Sequence, residues 1–177
     1  MTGPDTDHVG AETVRRGRTL GVDVGRARVG LASADPDGLL ATPLRTLRRD
    51  ATKDSDVRIA VQEALEAEAV AVYVGLPLNL QGDWTPSTED AVAYAGRLAA
   101  QLAEAGSEAT VRLVDERMST VSAQRQLQAS GRTVKDSRAV IDQAAAVAIL
   151  QAAVDTQRRT GAWAGEPVDL YIEEETE

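Results

Sequence analysis

Residues 18–33 read RTLGVDVGRARVGLAS: two short runs of β-branched and aliphatic residues, 18–24 and 28–33, separated by Gly25-Arg26-Ala27. Runs of this length and composition around a glycine-bearing break predict two strands joined by a tight turn. The Asp35-Pro36-Asp37-Gly38 turn and a third run at 39–44 extend them into an antiparallel meander. Working outward, residues 54–68 place Val57, Ala60/Val61 and Ala64/Leu65 at helical spacing and lead into Val70-Ala71-Val72-Tyr73-Val74-Gly75. A continuous apolar run of that kind suits a strand covered on both faces. An Ala-rich helix entered through an N-cap at Ser87-Thr88-Glu89-Asp90 and ending at Gly106 is expected, then a strand at 110–114, a helix at 119–130, a strongly apolar helix at 138–156 and a short strand at 168–172. A meander followed by alternating helix and strand implies one α/β domain, a mixed five-stranded sheet with helices on both faces. Residues 1–17 read as a disordered N-terminal arm, 18–157 as the domain, and 158–177 as a C-terminal extension with an acidic tail.

The 177 residues are 43% apolar, with five aromatics and no Phe, enough for one core of small aliphatic side chains. Cysteine is absent and histidine occurs once, at His8, which excludes thiolate sites and leaves no material for a histidine-based zinc site or a Ser-His-Asp triad. No run of eighteen apolar residues and no signal-like N-terminus is present, so a soluble, cytoplasmic protein without a membrane partner is expected. The formal charge of −9 argues at first against nucleic acid. It is unevenly spread: residues 14–49 carry a net +5 and residues 112–138 a net +3, set among acidic segments. Local potential, not net charge, governs attraction within a Debye length of about 8–10 Å.

Four acidic residues, at three places in the chain, stand where a solvated residue is not expected. Asp23 lies at the end of the first apolar strand, Asp115-Glu116 closes VRLVDE, and Asp142 interrupts an apolar helix more than a turn from its start. Ligands of open α/β sheets gather beyond the carboxyl ends of the parallel strands. With the fourth strand between the first and the fifth, the two outer strand ends are about 10 Å apart. A Glu from one side and an Asp from the other can share hard cations there if the middle strand ends in something small, and it ends in Gly75. An all-oxygen site suits Mg²⁺ or Mn²⁺, and two such ions about 3.5–4 Å apart activate water and stabilise the leaving oxygen in phosphodiester cleavage. Taken singly, each residue also has a plain explanation: a turn-forming Asp23, a surface ion pair in Asp115-Glu116-Arg117, and Asp142 bonded to Arg138.

The loop from Gly75 through Leu76-Pro77-Leu78-Asn79-Leu80-Gln81-Gly82 to Trp84 leaves the same sheet end. It can present Asn79 to a phosphate and Trp84 to a base for stacking, while Leu76 and Leu78 plug the core. Arg117, Arg125, Arg132, Lys135 and Arg138 flank the acidic positions in sequence and form the expected phosphate clamp.

Four segments, 21–32 (GVDVGRARVGLA), 74–79 (VGLPLN), 114–120 (VDERMST) and 142–150 (DQAAAVAIL), resemble in order four motifs of the YqgF family. That family is described as Holliday-junction resolvases or as nucleases that mature the precursor of small-subunit ribosomal RNA. The resemblance covers about residues 18–155 and departs from the family pattern at Ser119, where Thr is more usual. It implies an RNase H-like fold, a Mg²⁺- or Mn²⁺-dependent nuclease acting on pre-rRNA or branched DNA, and Asp23, Glu116 and Asp142 as the metal-binding catalytic trio, with Asp115 as a neighbour. A chain this size presents one site, so a monomer suffices to trim an RNA end, whereas symmetric cutting of a junction needs a homodimer. Two other readings remain open: a non-catalytic ribosome-assembly module that binds nucleic acid, and a phosphotransferase of the actin and sugar-kinase type, whose members clasp a nucleotide between two such domains.

Overall fold

The computed structural model describes residues 13–119 and 134–172, and the side chains of 13–119 and 143–172. Strands β1 (Thr19–Val24), β2 (Arg28–Ala34) and β3 (Ala41–Arg48) form the expected meander. Helix α1 (Ser55–Glu66), strand β4 (Ala71–Leu76), helix α2 (Pro86–Glu104) and strand β5 (Thr110–Asp115) follow. After a 3₁₀ turn at Glu116–Met118 come helix α3 (Val134–Thr160), strand β6 (Glu166–Pro167) and the short helix α4 (Asp169–Ile172). The sheet order is β3-β2-β1-β4-β5-β6, with β1, β4 and β5 parallel, so β4 lies between β1 and β5 as the sequence predicts.

Strand alternation sorts the two faces. Leu20, Val22, Val29, Leu31, Val72, Val74 and Leu113 pack against the apolar faces of α1 and α2. The opposite face is built from small residues, Ala32, Ala34, Ala41 and Ala71 with Tyr73 and Val114, and receives Ala146, Leu150, Ala153 and Val154 of α3. Gly21 permits the closest approach: a Cβ there would stand 2.6 Å from Leu150 Cβ and 2.8 Å from the Ala146 carbonyl oxygen. At the other end of the helix Val154 lies over Gly38, so α3 runs antiparallel to β1.

The structure revises several expectations. The sheet has six strands, not five, because the C-terminal segment turns back to add β6 beside β5. The strand expected at 168–172 is the helix α4, while Val168 enters the core. Strand β3 runs on to Arg48, beyond the expected end at 44. Helix α2 is capped by Thr85, not Ser87: the Thr85 hydroxyl accepts from the Thr88 amide, the Thr88 hydroxyl accepts from the Thr85 amide, and Pro86 fills the first turn, where its missing N–H costs nothing. The helix expected at 119–130 lies, apart from Ser119, outside the described residues. So does most of the expected N-terminal arm; within its last residues, Val14 packs on the second core and Arg16 pairs with Asp37 at 2.9 Å. Among the described residues no helix is long and apolar enough to cross a membrane.

The C-terminal segment is clamped to the sheet edge by Arg112, a buried guanidinium that donates to the carbonyls of Ala164 (2.7 Å) and Gly165 (2.8 Å). Gly165 has φ +65°, and a Cβ there would meet the Leu113 carbonyl oxygen at 2.2 Å. Gly165→Ala is therefore expected to destabilise the protein by about 1–3 kcal/mol by lifting this segment from β5. Urea denaturation checks this; an unchanged midpoint would contradict the clamp.

Candidate active site

The same alternation that buries Leu20, Val22 and Val24 on one face of β1 turns Gly21 and Asp23 toward the face covered by α3. Val22 pairs with Val74, which brings Asp23 level with Gly75, and Gly75 pairs with Val114, two residues before Glu116. The Glu116 side chain crosses the space that a side chain on Gly75 would fill. A Cβ at Gly75 would stand 2.7 Å from Glu116 Oε1, 3.1 Å from its Cγ and 2.6 Å from Ile149 Cδ1. Across this gap the Glu116 carboxyl comes within hydrogen-bonding reach of the Asp23 carboxyl. Burial pushes the Glu116 carboxyl above the ordinary carboxylate range, the bond to Asp23 opposes that shift, and the nearby Asp115 charge adds to it. Two oxygen-only side chains held together, one of them desolvated, make a donor set that fits hard divalent cations.

Asp142 comes to the same end of the sheet through α3. Ala146 rests on Gly21, and Asp142 stands one helical turn earlier, a backbone advance of about 6 Å that matches the two strand residues from Gly21 to Asp23. Its side chain lies outside the described set, as do those of Lys135 and Arg138 on the same helix; Arg125 and Arg132 fall outside the described residues altogether.

The Asp115-Glu116-Arg117 tripeptide divides its roles. Glu116 turns inward, while Asp115 faces outward and accepts from the Arg117 amide (2.9 Å), Nε (3.0 Å) and Nη2 (2.6 Å). This pairing holds Asp115 below the usual carboxylate range and Arg117 above its own. The same guanidinium supports the next loop: a Cβ on Gly82, φ +83°, would stand 3.2 Å from Arg117 Nη1. Asn79 organises that loop from within, its carbonyl accepting from the amides of Gln81 (3.0 Å) and Asp83 (2.8 Å). Trp84 closes the loop through a bridge to Leu78 and leaves half of its surface exposed.

Sequence reading missed Arg49. Its Nη1 donates to the Gly25 carbonyl (2.8 Å), and its fork grips Asp90 of α2 at 2.7 and 2.9 Å, with the buried Asp56 of α1 3.5 Å away and the Tyr94 ring 5.3 Å below. It ties the turn that follows Asp23 to both helices of the opposite layer. Nothing local marks it, since it ends a run of three arginines within five residues. Arg28 and Arg48 are paired in register beyond the Asp23–Gly30 row, which sets their backbones next to the strand end that carries Asp23, where the sequence showed only a positive segment.

A family model described as RuvX, Holliday junction resolvase, matches residues 17–156. The chain belongs to this family. A relative from Clavibacter sepedonicus is 52% identical over 148 residues, spanning 84% of this chain and 89% of that protein, and one from Mycobacteroides abscessus is 47% identical over 158 residues, spanning 89% and 93%. Both carry the name "Putative pre-16S rRNA nuclease". Among solved structures, Thermus thermophilus RuvC in complex with Holliday junction substrate superposes with a TM-score of 0.53 at 16% identity, covering 85% of this chain and 99% of that one. A second Thermus thermophilus RuvC structure gives 0.51 at 18%. The fold of this RuvX-family chain is therefore RuvC-like, an RNase H-like sheet, and by family the chain is a nuclease. The two-domain phosphotransferase reading gains nothing from these likenesses.

Gly75→Ala should displace Glu116 from Asp23 and lower cleavage at least tenfold while the protein stays folded. Glu116→Gln keeps the shape of the side chain over Gly75 without a carboxyl that burial opposes. In chelator it is expected to melt a few degrees above the wild type, by differential scanning calorimetry; a lower melting temperature would show that the carboxylate pair is not a source of strain.

Proposed function

We propose that Asp23, Glu116 and Asp142 form a divalent-metal site that hydrolyses phosphodiester bonds in structured nucleic acid. The observation that carries this reading is the Glu116 side chain crossing the bare Gly75 position toward Asp23 at the carboxyl ends of β1, β4 and β5. Mg²⁺ or Mn²⁺ bound there would supply Lewis-acid activation of water and neutralise charge on the scissile phosphate. The protein's own part is positional. Glu116 and Asp23 point their oxygens at one volume, α3 brings Asp142 to its rim, and the tight turn at Gly25, gripped by Arg49, fixes the strand end that carries Asp23. Arg117 and Asn79 shape the neighbouring loop, and with Trp84, Arg125, Arg132, Lys135 and Arg138 they make up the proposed nucleic-acid surface.

Precursor 16S rRNA is the substrate that the names of the close relatives suggest, and a four-way DNA junction is the one that the family description suggests. A monomer is sufficient for the first. One site per chain means that symmetric cutting of the second takes two copies. Cytoplasmic action fits the RNA substrate.

Asp23→Asn is expected to abolish Mn²⁺-dependent cleavage of a precursor rRNA fragment or a four-way junction and to leave binding within a few fold. Both substrates assayed side by side, with the mutant as control, test the assignment. Undiminished cleavage by the mutant would remove Asp23 from the site, and binding without any cleavage by the wild type would favour a non-catalytic assembly role.

A further inference from the structure

Beside the loop that Arg117 supports, the outer face of α2 and the C-terminal helix α4 enclose a groove of about 990 Å³. Trp84 and Tyr171 form one wall, their ring centroids 6.1 Å apart and their planes inclined by 31°. Trp84 lines the groove and is 50% exposed. The far end is closed by Ile172, whose side chain comes so close to α2 that a Cβ on Gly96 would stand 3.1 Å from Ile172 Cδ1. The groove communicates with the candidate active site through covalent and packed neighbours. Asp115, adjacent to Glu116, holds Arg117; Arg117 supports Gly82; and Gly82 is two residues from Trp84. Partial burial, then the charges of Glu166 and Asp115, hold the Tyr171 hydroxyl above its usual pKa.

We propose that this groove takes an unpaired nucleobase of the substrate strand, stacked on the Trp84–Tyr171 pair. The proposal rests on the nuclease reading above and adds a recognition subsite to it. Aromatic faces accept any base, because every base has a π-face. The charges nearby are mixed: exposed Glu89 and Arg97 both line the groove, Arg97 being paired with Asp54 at 3.5 Å, and Glu166 and Asp169 flank Tyr171. A neutral ring meets no repulsion on such a rim, whereas the carboxylates oppose a run of phosphates. Tyr171 and Ile172 lie beyond residue 156, where the family match ends, so the C-terminal extension builds the part of the subsite that lies outside the shared domain.

The fluorescence of the full chain offers a direct test, since Trp84 is exposed and the other tryptophan, Trp163, is buried. In an Asp23→Asn background without divalent metal, a single-stranded ten-nucleotide oligocytidylate RNA should quench the emission saturably. An abasic phosphodiester strand of the same length should not. Tyr171→Ala should weaken binding of the RNA roughly tenfold, measured by anisotropy of a labelled strand, with no change in the salt dependence, because no phosphate contact is lost. Tyr171→Phe should bind within twofold of the parent. Trp84→Phe retains a ring and should bind within a few fold while losing the quenching signal, which keeps the test valid if Tyr171→Ala fails to fold. Equal binding of the abasic strand, quenching that survives Trp84→Phe, or undiminished affinity in folded Tyr171→Ala would overturn the proposal. These readouts need no cleavage, so failure of the groove and failure of the nuclease reading are distinguishable.

Discussion

The carboxyls of Asp23 and Glu116 meet because β4 ends without a side chain at Gly75. They approach from strands two positions apart, about 10 Å at the backbone, and only the volume over Gly75 lets Glu116 reach across. Ile149 closes the same volume from α3, so the Glu116 side chain is held between a bare strand and an apolar helix face. A carboxylate in that position is desolvated, and a second carboxyl beside it adds to the cost of its charge. The arrangement is costly for the protein by itself, and a cation would relieve it. That is the physical link between the steric detail at Gly75 and the chemistry proposed for the site.

The Ala-rich composition has the same origin. Helix α3 lies directly on β1 because its side of the sheet offers Gly21, Ala32, Ala34, Ala41 and Ala71, where the opposite side offers Leu and Val to α1 and α2. Close packing of a helix on small residues fixes its axial position more tightly than a contact through long flexible side chains. Axial position matters here, since Asp142 is placed relative to Asp23 only through the seating of Ala146 and Leu150 on Gly21.

Charge is organised by position more than by amount. The net −9 gathers carboxylates at the sheet end and along the acidic segments, while arginines serve as clamps: Arg49 on the turn after Asp23, Arg117 between Asp115 and the Gly82 loop, Arg112 on the C-terminal segment. Arg117 illustrates why segment charge is a poor guide to a binding surface. It lies in a positive stretch of sequence, yet its guanidinium is already bidentate on Asp115, so it shapes the loop that faces the substrate and leaves less of its charge for a phosphate.

By itself the sequence determined the order of the five main strands and narrowed the chemistry open to the site. Strand alternation and the glycine turns carried the meander, the apolar run ending in Gly75 identified the central parallel strand, and the lack of cysteine and of all but one histidine left carboxylates as the only metal donors. Those features are local in the chain, where periodicity and composition act directly. Tertiary structure alone decided what depends on contacts between distant residues. The Arg49 clamp links residues 25, 49, 56 and 90; the sixth strand is held where Arg112 meets carbonyls more than fifty residues away; and the division between inward Glu116 and outward Asp115 follows from what faces each of them. No pattern along the chain encodes a partner fifty residues off, since specific side-chain geometry arises only after the elements have packed.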